Sequence, residues 1–173
     1  MKKLSDTGLN VNEYVSYRHN GIYKISEICS REFGTDGMRQ YYVLESVYDQ
    51  NAKIYVPSDT DNLPENMKRV LTPDEISSII NCANKKECTW IEDNTERENS
   101  FNKIIESGDK NNILWLLKTI SLQKEKMTAQ KKKLYSCDEK TLNIAERIIS
   151  EEFAFVLGIK RDEVIPYLTR KYA

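Results

Sequence analysis

Thr72-Pro-Asp-Glu75 marks the place where the period of the sequence changes. A threonine followed three residues later by glutamate is a capping box, in which each side chain satisfies a backbone N–H left open at a helix start. Proline suits the first helical position, because its missing N–H is one of those open donors. Downstream, Ile76, Ile79, Ile80 and Ala83 recur at helical spacing and predict one apolar stripe. Asn84–Thr89 (NKKECT) breaks it. A second helix is predicted from about Asn94 to Ser107, burying Phe101, Ile104 and Ile105. Gly108 stands where a left-handed residue closes a helix, and Asp109 can cap the next one. That third helix carries Ile113, Leu114, Leu116, Leu117 and Ile120. Ser136-Cys-Asp-Glu139 reads as another capping box. It opens a helix to Leu157 with Leu142, Ala145, Ile148, Ile149 and Phe153 on one side, and Gly158 ends it. A short terminal helix holds Val164, Ile165 and Leu168.

Upstream of Thr72 the pattern is strand-like. Glu13-Tyr-Val-Ser-Tyr-Arg18 is rich in β formers and stops at His19-Asn20-Gly21, a hairpin turn signal. Ile22–Ile28 alternates, with Ile22, Lys24, Ser26 and Ile28 on one face and Tyr23, Ile25 and Glu27 on the other. Gly34-Thr-Asp-Gly37 is a second turn. Gln40–Tyr48 is a long strand, and Asp49-Gln-Asn51 turns it into Ala52-Lys-Ile-Tyr-Val56. Pro57 closes that strand and suits an edge, having no N–H to offer a neighbour. Asp59–Asn66 (DTDNLPEN) is polar and loop-like. Four or five short strands with tight turns predict a small antiparallel barrel or bent sheet. The fold class is therefore α+β: residues 1–71 form the β module and residues 72–173 an all-α helical domain.

Composition excludes much. The 173 residues carry 26 basic and 27 acidic side chains, so the chain is not a polyelectrolyte. Two lysines at the start precede no apolar region, and no stretch approaches the ~20 apolar residues of a membrane span. A cytoplasmic chain with no membrane partner is the expectation. Cys29, Cys82, Cys88 and Cys137 include no CxxC pair, and His19 stands alone, so no metal is expected and buried reduced thiols are. Nothing in the glycine pattern cradles a nucleotide, and no nucleophile or metalloprotease motif occurs. No catalytic residue, cofactor or small-molecule substrate is predicted.

Two features remain. Lys118–Lys133 holds six lysines (Lys118, Lys124, Lys126, Lys131, Lys132 and Lys133) against one acid, Glu125. It is either a solvated face or a contact for phosphates. Trp90 sits before a helix start rather than within an apolar stripe. It either packs as a staple on the fourth helical residue or projects as a wedge that stacks on a base. Trp115, flanked by leucines, reads as core or near-core packing.

The order of motifs resembles the CarD family of bacterial transcription regulators. Val11-Asn-Glu-Tyr-Val-Ser-Tyr17 followed by Asn20-Gly21-Ile22 is similar to the family's opening strand and turn. Tyr41-Tyr-Val-Leu44 and Ala52-Lys-Ile-Tyr-Val-Pro57 are similar to its paired strands. Arg69-Val-Leu-Thr72, Trp90, Arg97, Phe101 and Ser107-Gly-Asp109 follow in its order. Asp138, Ala145-Glu146 and Glu152-Phe153-Ala154 resemble the late helix of clostridial and bacillar members.

The resemblance implies a Tudor-like or SH3-like barrel that adds an edge strand to the β subunit of RNA polymerase. Ala52–Val56 occupies that strand, so Lys53, Ile54, Tyr55 and Val56 are polymerase-binding candidates. Arg31 matches an arginine of the second strand region, and Tyr55 falls where some members carry a second interface arginine. The helical domain is implied to bring Trp90 into the minor groove at the upstream edge of the promoter bubble, without sequence recognition, stabilising the open complex. Arg97, Lys124, Lys126, Lys131, Lys132 and Lys133 are the accompanying DNA-binding candidates. Glu92 and Asp93 stand where many members carry basic residues, which suits DNA only if they cap the helix and face away. The alternative is a protein-interaction adaptor that uses the barrel and never touches DNA.

Overall fold

The computed structural model describes residues 8–18, 21–35 and 37–172. Met1–Thr7, where no leader is expected, and His19-Asn20 of the expected hairpin turn lie outside them. The chain divides into two compact units, Met1–Val70 and Leu71–Ala173. The first holds an antiparallel sheet and the second is helical, so the class is α+β. Among the described residues no helix is long and apolar enough to cross a membrane.

The strands are β1 (Tyr14–Tyr17), β2 (Ile22–Glu32), β3 (Met38–Ser46), β4 (Lys53–Pro57) and β5 (Met67–Arg69). They pair antiparallel in the order β4-β3-β2-β1-β5. That is an open sheet with β4 and β5 at its ends, so the closed barrel is replaced by an open five-stranded sheet. One face buries Val15, Tyr23, Ile25, Tyr42, Leu44, Val56 and Met67, with Ile28 and Ile54 packed against them.

Ile28 is on this face although simple alternation puts it opposite. The register shifts between Ile25 and Glu27, because Ile25 faces Leu44 while Glu27 faces Val43. Ser26 is the extra residue, and its hydroxyl donates to the Val43 carbonyl at 3.2 Å. A bulge of this kind moves every later side chain to the other face.

The polar Asp59–Asn66 stretch is not all loop. It contains a short helix, α1 (Leu63–Asn66), whose Leu63 is buried in the sheet's core, and it leads directly into β5.

The helical unit comprises α2 (Pro73–Lys85), α3 (Asn94–Ser107), α4 (Lys110–Ala129), α5 (Ser136–Leu157) and α6 (Arg161–Tyr172). The Thr72/Glu75 capping box forms in full, and Ile76, Ile79, Ile80 and Ala83 are buried. Gly108 and Gly158 close α3 and α5 at φ 66 and 65, where a side chain is strained. The carboxylate of Asp109 accepts the N–H groups of Asn111 and Asn112. Lys131, at φ 58, takes the left-handed position after α4. The N–H of Lys132 reaches the Met127 carbonyl and that of Lys131 the Thr128 carbonyl, the bonding of a Schellman closure.

Two expectations are corrected. The capping box at Ser136 does not form: the cap position is Tyr135, with no side-chain bond, and the third helical residue, Asp138, is committed elsewhere. The four cysteines are free but not buried; Cys82 is exposed on the outer side of α2, and Cys29, Cys88 and Cys137 are half-buried.

Candidate functional site

Strand β4 is the longer of the two free sheet edges. Its neighbour β3 pairs Leu44 with Ile54 and Tyr42 with Val56. The N–H of Ser46 donates to the Ala52 carbonyl at 3.0 Å, and that of Ser58 to the Gln40 carbonyl at 2.9 Å. Antiparallel ladders alternate, so residues 52, 54, 56 and 58 direct their backbone groups at β3. Lys53, Tyr55 and Pro57 therefore direct theirs away from the sheet. Pro57 at an outward position lacks an N–H where none is needed.

Side chains sort the same way. Ile54 and Val56 pack into the core. Lys53 and Tyr55 lie on the opposite face, where Lys53 pairs with Glu45 at 2.9 Å. That contact raises the Lys53 pKa and lowers that of Glu45, each through the hydrogen bond between them. Arg31 lies 5.3 Å from the Tyr55 ring, so the structure brings these two candidates together. Of the five candidates, Ile54 and Val56 offer neither side chain nor backbone outward, leaving Arg31, Lys53 and Tyr55.

Sequence reading missed Phe33. It is 45% exposed, with its ring 5.0 Å from Tyr41 and 5.3 Å from Tyr55. The usable signal is its spacing two residues beyond Arg31, just past the end of β2.

In the helical unit Trp90 is half-buried against the core, edge-on to Phe101 at 5.9 Å. Arg97, the fourth residue of α3, lies 4.5 Å from its ring. The packing is thus onto the fourth helical residue, as a staple would be, with part of the indole left open.

Arg97 itself is 1% exposed. Its Nε and one Nη2 proton bind the two Asp138 oxygens at 3.0 and 2.9 Å. The other Nη2 proton goes to Asn94 at 2.7 Å, and Nη1 serves the Ile91 and Glu92 carbonyls at 2.8 and 3.2 Å. All five N–H donors are used, so Arg97 has none for a phosphate. Its place among the DNA-binding candidates is corrected: it fixes the loop that carries Trp90. Asp93 accepts the Glu96 N–H at 2.8 Å, so one of the two acids beside Trp90 does cap the helix, while Glu92 stays exposed.

A second ring covers the same guanidinium. Tyr135, which sequence reading also missed, is 54% exposed and lies 5.7 Å from the Arg97 carbon centre. Lys131, Lys132 and Lys133, separated from it by Leu134, are exposed. The other basic candidates are spread: Lys126 is exposed near the end of α4, and Lys124 pairs with Glu139 of α5 at 3.6 Å. Lys118 donates to the Ala83 carbonyl. Trp115 is half-buried and packs against the core, anchored by its Nε1 donating to the Glu87 carbonyl at 2.9 Å.

The small antiparallel sheet thus leaves the five-residue strand β4 at one end. Residues 9–71 match the family model of the CarD-like/TRCF RID domain. Residues 9–71 are thus similar to a CarD-like/TRCF RID domain, of an RNA polymerase-interacting family. The match ends at Leu71, so the helices beyond lie outside it. No curated protein matches the chain.

Proposed function

We propose that this chain is a non-catalytic transcription regulator that pairs strand β4 with the β subunit of RNA polymerase and presents Trp90 to promoter DNA. The observation that carries the reading is the free β4 edge within a domain of the RNA polymerase-interacting family. The outward groups of Lys53 and Tyr55 supply main-chain affinity, and Arg31, Tyr55 and Phe33 supply side-chain contacts on one face. At the upstream edge of the bubble, Trp90 fills the gap left by a broken base step and so opposes reclosure. Stacking a base on an aromatic returns roughly 1–3 kcal/mol, and a tenfold shift between open and closed promoter needs only about 1.4 kcal/mol. No catalysis is required. Lys126 and Lys131–Lys133 add salt-dependent phosphate contacts.

The adaptor reading has one observation in its favour. Trp90 is partly covered by Phe101 and Arg97, which a purely structural tryptophan also is. The lifetime of the promoter open complex separates the two. The regulator reading expects the chain to lengthen it, most at low salt, and Trp90→Ala to remove the effect while polymerase binding persists. Polymerase binding with no change in lifetime favours the adaptor.

A further inference from the structure

We propose that Tyr135 is a second nucleic-acid-contacting ring, which with Trp90 forms a two-ring platform selective for unpaired DNA bases over paired duplex. The inference rests on the reading that the helical unit meets promoter DNA. Two features point to Tyr135, its exposure and its contact with the guanidinium that also meets Trp90. Its ring is more than half exposed, although it covers a fully buried arginine. An exposed ring held over a cation has little rotamer freedom left to lose on binding. It also shares that cation with Trp90, so one guanidinium orients both rings.

The surroundings favour a polyanion. Lys131, Lys132 and Lys133 lead into Tyr135 along a backbone fixed by the Schellman closure, and Leu134 packs against the core to anchor it. Three of the acids nearby are engaged, Asp138 by Arg97, Glu139 by Lys124 and Asp93 by the start of α3, while Glu92 stays exposed. Rings that take bases beside lysines that take phosphates are the pairing by which single strands are held. A paired duplex keeps its base faces stacked, so it meets only the lysines.

The test uses the full chain and two labelled DNA probes of one sequence, one with a central unpaired bubble and one fully paired. Wild type is expected to bind the bubble more tightly. Tyr135→Ala and Tyr135→Leu are expected to weaken bubble binding about tenfold and to leave duplex binding nearly unchanged, while Tyr135→Phe retains both. Leucine keeps an apolar cover over Arg97, so its loss is not a folding loss, and an unchanged thermal midpoint checks this. Bubble affinity unchanged in Tyr135→Leu, while Trp90→Ala weakens it, overturns the inference and leaves the DNA reading standing. Wild type binding neither probe overturns both.

Discussion

Arg97 shows how much a single residue's role depends on a partner far away in sequence. Its carboxylate partner, Asp138, is 41 positions distant, on another helix, and the pair is 1% and 2% exposed. A buried charge is tolerated only when paired and fully hydrogen-bonded, and this guanidinium meets both conditions. Lysine cannot copy the planar five-donor fork. Arg97→Lys is predicted to cost about 3–5 kcal/mol, read as a large fall in thermal midpoint and a red shift of tryptophan emission. The resemblance pointed to this arginine, but nothing local in the sequence indicates that it faces inward.

Glu151 gives a second prediction at this scale. Burial raises its pKa, opposed by Arg147 and Arg161. The folded chain therefore holds this proton more tightly than the unfolded chain, and stability falls as pH rises through the window above the ordinary carboxylate value. Glu151→Gln is predicted to flatten that fall and to raise the midpoint at neutral pH, because the two arginines are half-exposed and pair weakly with it. Melting curves across the acidic to neutral range check the sign.

At the scale of elements, the helix starts and stops were legible where the chemistry is local. The Thr72/Glu75 box, the Asp109 cap and the two closing glycines are each set within a few residues. The Ser136/Glu139 box does not form because α5 starts one residue earlier, with Tyr135 as its cap. The Ser26 bulge was invisible for a related reason: alternation continues in the sequence while the backbone slips by one. Tyr135 and Phe33 carry no periodic signal beyond a single step, so only packing singles them out.

The β3–β4 register has a direct consequence. Ile54 directs its N–H at β3 and its side chain into the core. Ile54→Pro is predicted to disrupt the β unit rather than blunt its edge, seen as loss of the tyrosine near-ultraviolet circular dichroism. A proline meant to probe the edge belongs at an outward position.

At the scale of the whole molecule, the chain divides into two compact units, Met1–Val70 and Leu71–Ala173. The charge is balanced across both, so any nucleic-acid surface must be local, as the Lys131–Lys133 loop is. The central claim concerns the first unit and its outward main-chain groups. The most direct measurement compares the affinity of Lys53→Pro and Lys53→Ala full-length chains for RNA polymerase. Alanine keeps the outward N–H and loses only an exposed ion pair, so its affinity is predicted to stay near wild type. Proline removes that donor without touching β3 and is predicted to weaken binding at least tenfold with an unchanged melting midpoint. Equal affinity of the two folded variants would contradict strand pairing as the mode of docking.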